Sequence, residues 1–372
     1  MTSPARVHLI AAARPNFMKV APLWHALSAA PDFTPVLIHT GQHYDAAMSD
    51  DILADLSLPA PDHHLGIGSG SHAEQTGRVM IAYEAVAMAD RPDWLVVVGD
   101  VNSTAACSLA AAKLRVPTVH LEAGLRSFDR DMPEELNRLV TDVLADVLWT
   151  PSPDADTNLA AEGIPAHRIS RVGNIMMDSY ELVRPAILAA DEPGALGLAP
   201  GGYGVVTLHR PSNVDDPAQL RTLVAALIAC QTQLPLVFPV HPRTAKALAA
   251  VGLDEALKDA GVRLTGPIPY IRFMSLVSSA AAIVTDSGGL QEETTYLGIL
   301  CLTLRDNTER PITISEGTSR LVKPATLAAE LADALATPHA DRKRPALWDG
   351  RTAVRCLNDL RRRMGREARA AA

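Results

Sequence analysis

Short apolar runs rich in β-branched residues alternate along the chain with longer stretches of helical periodicity, the signature of a parallel α/β sheet. In the first half the pattern predicts strands at Val7–Ala13, Pro35–Thr40, Trp94–Val98, Thr118–Leu121, Val147–Thr150 and Ile169–Val172. Between them it predicts helices that include Lys19–Ala30, His72–Ala89 and Thr104–Leu114. Around Pro185–Gly204 the periodicity breaks into Ala, Pro, Gly and acidic residues, which reads as a linker. The alternation then restarts, with strands at Gly204–Leu208, Leu236–Val240, Val262–Leu264, Ala281–Thr285 and Leu300–Leu304. A last stretch, Arg351–Arg369, reads as a basic amphipathic helix, solvated on one face and packed on the other. The expected class is α/β, two Rossmann-like domains (1–185 and 186–350) facing across a cleft, where ligands often bind.

Length and composition narrow the function. A chain of 372 residues is too long for one compact core, and 48% hydrophobic with 20% charged residues is a globular balance. A net charge of −8 argues against a nucleic-acid or anionic-membrane binder, while leaving room for a local pocket of donors around a phosphorylated substrate. The apolar run at Val7–Ala13 stops at Arg14-Pro15, too short to cross a bilayer, and lacks the signal-peptide pattern. Cys107, Cys230, Cys301 and Cys356 are scattered without a CxxC, so neither a disulfide framework nor a zinc knuckle is expected. The expectation is a cytoplasmic protein. Gly66-Ile67-Gly68-Ser69-Gly70-Ser71 resembles a dinucleotide loop with its third glycine out of register, and it follows no strand, so it reads as a surface loop. No GxxxxGK[ST], no HExxH and no tyrosine followed four residues later by lysine occurs. Neither metal nor cofactor is expected, and a sugar epimerised by this chain would be epimerised without a borrowed hydride.

Three constellations carry candidate chemistry. Ala281–Thr285 runs through Asp286-Ser287-Gly288-Gly289 into a helix, where free backbone N–H groups form an anion site that glycines let a phosphate approach. The alternative is an ordinary N-cap by Asp286 or Ser287. Glu293, one turn into that helix, is placed to accept from ribose hydroxyls. Arg14 and Lys19, at and after the end of the first strand, are a pair of cations suited to a diphosphate, or two solvated charges. Asp100 and Glu122 each end a buried strand with a carboxylate, a costly place for charge without a partner or a task. Glu134 reads equally as the N3 residue of a capping box begun by Asp131. His209 and His241 end adjacent strands of the second half, either as structural histidines or at the cleft.

In order along the chain these residues resemble the non-hydrolysing UDP-N-acetylglucosamine 2-epimerase family, from about Arg6 to Val322. The matching landmarks are Arg14-Pro15 with Lys19, Gln42-His43, Gly99-Asp100, His120-Leu121-Glu122-Ala123-Gly124-Leu125-Arg126 and Pro133-Glu134-Glu135-Leu136-Asn137-Arg138. They continue through His209-Arg210, Pro239-Val240-His241, Thr285-Asp286-Ser287-Gly288-Gly289 and Arg305-Asp306-Asn307-Thr308-Glu309-Arg310-Pro311. The resemblance implies a GT-B-like fold, a homodimer, and a final helix (about 351–372) crossing back to the first domain. It implies that Arg14, Lys19, Ser287, Gly288, Gly289, Glu293 and Arg310 hold UDP, with Phe273 near the uracil. Asp100, Glu122, Glu134 and His209 would surround the sugar and the bond that breaks. The C2 hydrogen has no neighbouring carbonyl, so the resemblance implies that UDP leaves first, giving a glycal, and returns after protonation on the other face. A stabilised leaving group and carboxylates that move a proton are the parts this needs.

The departures are informative. Asn16 and Ile312 stand where glutamate is common in the family, and Ser212 stands where regulated relatives carry a glutamate. Those relatives bind a second UDP-sugar with the counterparts of Gln42, His43, Arg210 and His241, so loss of that carboxylate predicts weakened allostery. Gln75-Thr76-Gly77-Arg78 and His241-Pro242-Arg243 resemble members that act on modified sugars such as diacetamido-uronic acids. Other readings are a hydrolysing 2-epimerase and a GT-B glycosyltransferase, the latter disfavoured by the acids Asp100, Glu122 and Glu134.

Overall fold

The computed structural model describes residues 3–41, 52–336 and 344–366. The chain forms two compact units, Met1–Leu182 with Ala346–Ala372, and Val183–Pro345. The first is built on seven strands: β1 (Ala5–Ala11), β2 (Phe33–His39), β3 (His63–His64), β4 (Trp94–Val98), β5 (Thr118–Leu121), β6 (Val147–Thr150) and β7 (Ile169–Arg171). They lie in the order β3-β2-β1-β4-β5-β6-β7 and every pair is parallel. The second unit has β8 (Gly204–Thr207), β9 (Leu236–Pro239), β10 (Arg263–Thr265), β11 (Ala282–Thr285), β12 (Leu300–Thr303) and β13 (Ser319–Leu321). Their order is β10-β9-β8-β11-β12-β13, again all parallel.

Helices follow the strands and cover the sheets, so strands such as Trp94-Leu95-Val96-Val97-Val98 are continuously apolar instead of alternating. Ile10, Ile38 and Val97 pack with Tyr83 and Cys107 in the first unit, and Val206, Phe238 and Val284 with Leu223, Leu227 and Leu327 in the second. In each unit the strand order reverses once, between β1 and β4 and between β8 and β11. Loops leaving the carboxyl ends of such strands diverge and open a crevice, so chemistry is expected at these two places.

Several boundaries differ from the expected ones. The first helix is Arg14–Ser28 and begins before Lys19, because Pro15 fits a first turn and Asn16 Oδ1 accepts from Ala13 N at 3.0 Å. Pro22 sits inside it and offers no N–H to Met18 O, which instead accepts from the Ser179 hydroxyl. The expected linker at Pro185–Gly204 is in part regular structure. A helix spans Ile175–Ala190 with Pro185 inside, and a short helix follows at Glu192–Ala195. Burial of Val183 and Ile187 holds the helix through the proline, and Glu192 takes both ends of the Arg272 fork at 2.6 and 2.9 Å. β10 starts one residue late, and β13, a short polar strand, carries no apolar signal that would have revealed it.

The terminal helix, Thr352–Arg363, belongs to the first unit. Asp178 accepts from Thr352 N and Ala353 N at 3.0 and 2.8 Å, and Asp359 accepts from Trp149 Nε1 at 2.8 Å. Arg361 clasps Asp32 at 2.7 and 2.8 Å. Among the described residues no helix is long and apolar enough to cross a membrane.

Candidate active site

At the first reversal, Gly99 follows β4 with φ +67°, and a Cβ there would stand 3.0 Å from Lys19 Nζ. The missing side chain lets Lys19 reach Glu122, with which it forms a buried ion pair. Glu122 itself has φ +70°, a conformation unusual for a glutamate. Its own N–H and that of Ala123 both donate to Trp149 O at 3.1 Å, which fixes the strained turn. Lys19, expected to face a diphosphate, is therefore joined to one of the candidate acids. Arg14 is exposed just beyond β1.

Asp100 is paired with Arg138, and its carbonyl accepts from Asn137 Nδ2 at 2.9 Å. Arg138 is in turn held by buried Glu135 at 2.6 Å. Burial favours a neutral Glu135, but bonds from Ser127 N, Phe128 N and Arg138 outweigh it and hold the carboxyl below the usual range. The capping box expected from Asp131 and Glu134 is not formed. Helix Pro133–Leu144 starts after Met132, which provides no side-chain cap, because proline takes the first helical position and moves Glu134 out of the N3 place. Glu134 is exposed, four residues before Arg138 on the same helical face.

At the second reversal, Thr207 and Thr285 pair in register and their hydroxyls meet at 2.7 Å. Just beyond them, fully buried Asp286 accepts from His209 N at 3.0 Å, Arg210 N at 2.9 Å and Asn213 Nδ2 at 3.1 Å. His209 Nδ1 lies 3.0 Å from Asp286 Oδ1. Burial alone would raise the Asp286 pKa, yet His209 and these donors hold it below the usual carboxylate value. An ionised Asp286 fixes a proton on His209 Nδ1 and leaves Nε2 to the half-exposed side of the ring. The His241 ring lies 5.9 Å from that of His209, and its Nδ1 accepts from Arg243 N at 3.2 Å. Burial, His209 and Arg243 all lower the His241 pKa.

With Asp286 turned toward β8, it does not cap the helix Gly288–Leu297, and Ser287 makes no side-chain capping bond either. Of the two readings of this segment, the plain cap is absent. A Cβ at Gly288 would stand 2.8 Å from Arg310 Nη1, so a side chain there would push the Arg310 guanidinium aside. Gly289 faces open space, with nothing within 4 Å of a Cβ. Arg310 Nε lies 2.9 Å from Glu292 Oε1, and its Nη1 binds Glu309. Burial would raise the Glu309 pKa, but Arg310 and Arg305 hold it far down. Buried Glu293 accepts from the Tyr270 hydroxyl at 2.7 Å, and half-buried Phe273 lies on the same helix as Tyr270.

The first unit thus holds Arg14, Lys19, Asp100, Glu122 and Glu134, and the second His209, Arg210, His241, Phe273, Ser287, Gly288, Gly289, Glu293 and Arg310. Gln42 and His43 lie outside the described residues. Reasoning from sequence missed the supports Arg138, Glu135, Tyr270 and Glu309. Glu135 with Arg138, at i,i+3, and Glu309 with Arg305, at i,i+4, left a trace as opposite charges within quoted landmarks.

Two parallel α/β sheets, each with its polar groups gathered where the strand order reverses, are shared with the GT-B-like, nucleotide-sugar-binding structures that this chain is similar to. The UDP-N-acetylglucosamine 2-epimerase family model matches residues 25–361, and the chain belongs to that family. It is 39% identical over 333 residues to UDP-N-acetylglucosamine 2-epimerase of Methanocaldococcus jannaschii, covering 85% of this chain and 88% of the relative. It is 38% identical over 324 residues to UDP-2,3-diacetamido-2,3-dideoxy-D-glucuronate 2-epimerase of Pseudomonas aeruginosa, covering 86% and 89%. The crystal structure of the M. jannaschii UDP-GlcNAc 2-epimerase in complex with UDP-GlcNAc and UDP superposes with a TM-score of 0.85 at 36% identity, covering 95% of this chain and 99% of that one.

Proposed function

We propose that the protein inverts C2 of UDP-N-acetylglucosamine, giving UDP-N-acetylmannosamine, by eliminating UDP to a glycal and adding it back without hydrolysis. The observation that carries this reading is the joint at Asp286. One fully buried carboxylate orients His209, and the next residues open an uncapped helix N-terminus beside Arg310. Such an arrangement favours a departing pyrophosphate, with backbone N–H groups and a guanidinium facing the charge that develops. The second unit binds UDP through Ser287, Gly288, Gly289, Glu293 and Arg310, with Phe273 at the uracil. Arg14 and Lys19 of the first unit also serve the diphosphate, and Lys19 in addition fixes the place of Glu122.

Asp100, Glu122 and Glu134 supply the proton chemistry and stabilise the oxocarbenium-like carbon as the bond to UDP breaks. The reaction takes place in the cytoplasm and calls on neither metal nor nicotinamide. A homodimer would cover the apolar surface left on two helices of the first unit, where Ile81, Met88 and Val143 are 64–70% exposed. The P. aeruginosa relative favours a second reading, in which the substrate is a modified UDP-acetamido sugar such as a diacetamido-uronic acid.

The test is incubation with each UDP-sugar while products are followed by NMR. The proposal expects the C2 epimer still joined to UDP. Free N-acetylmannosamine with UDP would assign the hydrolysing reaction, and turnover of the uronic acid alone would assign the second reading.

A further inference from the structure

The buried polar group behind the two strand ends of the first unit has a task that none of its members performs directly. His120 lies in β5 with its side chain fully buried. Its Nδ1 is 2.6 Å from Asp142 Oδ1 and its Nε2 is 2.8 Å from Gly99 O. Both neighbours are acceptors, so both ring nitrogens must donate, which only the imidazolium form can do. Charge balance agrees. Asp142 also receives Arg126 Nη2 at 2.7 Å and Gly124 N at 3.1 Å, and Arg126 forks onto Glu162 at 2.6 and 2.7 Å. Asp142 and Arg126 offset each other in the interior, and Glu162, 31% exposed at the outer end of the Arg126 fork, offsets the charge of the imidazolium. Asp142 is held ionised because His120 and Arg126 together outweigh the burial that would raise its pKa.

We propose that His120 is a positioning residue for the epimerisation, a two-donor clamp that fixes the Gly99 carbonyl and thereby the turn that presents Asp100. Its grip reaches both candidate acids by short routes. Gly99 immediately precedes Asp100, and Gly99 N donates to Leu121 O at 3.1 Å, one residue before Glu122. The Gly99 peptide is therefore bonded on both sides to β5, through the His120 ring and through the Leu121 carbonyl. Releasing the ring bond frees the turn to shift relative to Glu122, and a displacement of about 1 Å in such a site costs on the order of a hundredfold in rate.

The inference rests on the function proposed above, and two measurements separate its failure from that of the function. The first needs no turnover: ring ¹⁵N shifts of His120 in the intact protein at neutral pH. Two protonated nitrogens are expected, and a single protonated nitrogen would overturn the clamp. The second compares two substitutions. In His120→Gln the side-chain amide nitrogen replaces Nε2 and keeps the donor to Gly99 O, whereas in His120→Asn it replaces Nδ1 and keeps only the donor to Asp142. We expect kcat to fall about a hundredfold in the Asn variant and to stay within about tenfold in the Gln variant. KM and UDP affinity should remain near wild type in both. Equal losses in the two variants, or losses that follow thermal stability alone, would overturn the positioning role. Wild-type protein that binds UDP-sugars without epimerising them would sink the function and leave the ¹⁵N result to decide the clamp.

Discussion

The two units place polar groups at the same topological position and give them opposite polarity. At the β1/β4 reversal the candidate reacting groups are acids, and cations support them: Lys19 holds Glu122 and Arg138 holds Asp100. At the β8/β11 reversal the exposed group is a histidine beside arginines, and an acid supports it, Asp286 beneath His209. Each unit meets the cost of charge at a buried strand end with an opposite charge; the partner left toward solvent is an acid at Asp100 and a histidine at His209, while Lys19 and Glu122 are both buried. A single fold plan can thus present carboxylates backed by cations in one copy and a histidine backed by a carboxylate in the other.

The comparison breaks most sharply by substitution in the first unit. Asp100→Asn, Glu122→Gln and Glu134→Gln should each lower kcat by about two or more orders of magnitude while UDP affinity, assigned above chiefly to other residues, is kept. Steady-state kinetics with UDP titration calorimetry checks this. Glu134→Gln should also leave thermal stability unchanged, because no capping box is there to break. A variant that loses UDP binding along with turnover would show that the division of labour between units is wrong.

Acid should separate the units next. His8 in β1 is buried beside Tyr83, Asp90, His63 and Arg6; burial, then His63 and Arg6, push its pKa down to about 4. The unfolded chain therefore binds the extra proton first. Stability is unaffected above the ordinary histidine value near 6.5, is lost progressively as pH falls toward about 4, and falls no further from this group below that. The loss amounts to about 3 kcal/mol, and His8→Gln should abolish it. In the second unit Asp286 has the depressed pKa of a bonded carboxylate, so its contribution is complete above the ordinary carboxylate range and disappears only as pH falls below it. Hydrogen exchange at pH 5 should show the first unit opening more readily than at pH 7. Equal protection at both pH values would contradict the assignment.

How much of this was legible in the sequence depended on separation along the chain. Local signals fared best: the apolar runs gave most strands, and the small-residue turn Asp286-Ser287-Gly288-Gly289 marked where a helix begins. Partners far apart were not legible, since nothing in the sequence says that Lys19 meets Glu122, 103 residues away. Glu134 and Glu135 show a subtler limit. Adjacent helical residues point about 100° apart, so one turned out to solvent and the other inward to Arg138, and the sequence pattern alone favoured neither. Pro185 was read as a break because the burial that carries the helix past it, at Val183 and Ile187, is tertiary.

Smaller effects sharpen the second unit. Asp286→Asn removes charge from bonds to His209 and Arg210 and should cost about 2 kcal/mol of stability, measured by urea unfolding followed in that unit. Smallest is regulation. Arg210 and His241 flank His209, but exposed Ser212 lacks the carboxylate of regulated relatives, so velocity should rise with substrate at a Hill coefficient near one. A coefficient near two would show that another residue completes a second sugar site.

The central claim is that carboxylates of the first unit break and remake the C2–H bond while the second unit holds UDP. Turnover of UDP-N-acetylglucosamine in D₂O, followed by NMR at C2, tests it most directly. Deuterium is expected at C2 of the epimerised product, unchanged by added nicotinamide nucleotide. Epimer that keeps its original C2 hydrogen would contradict it.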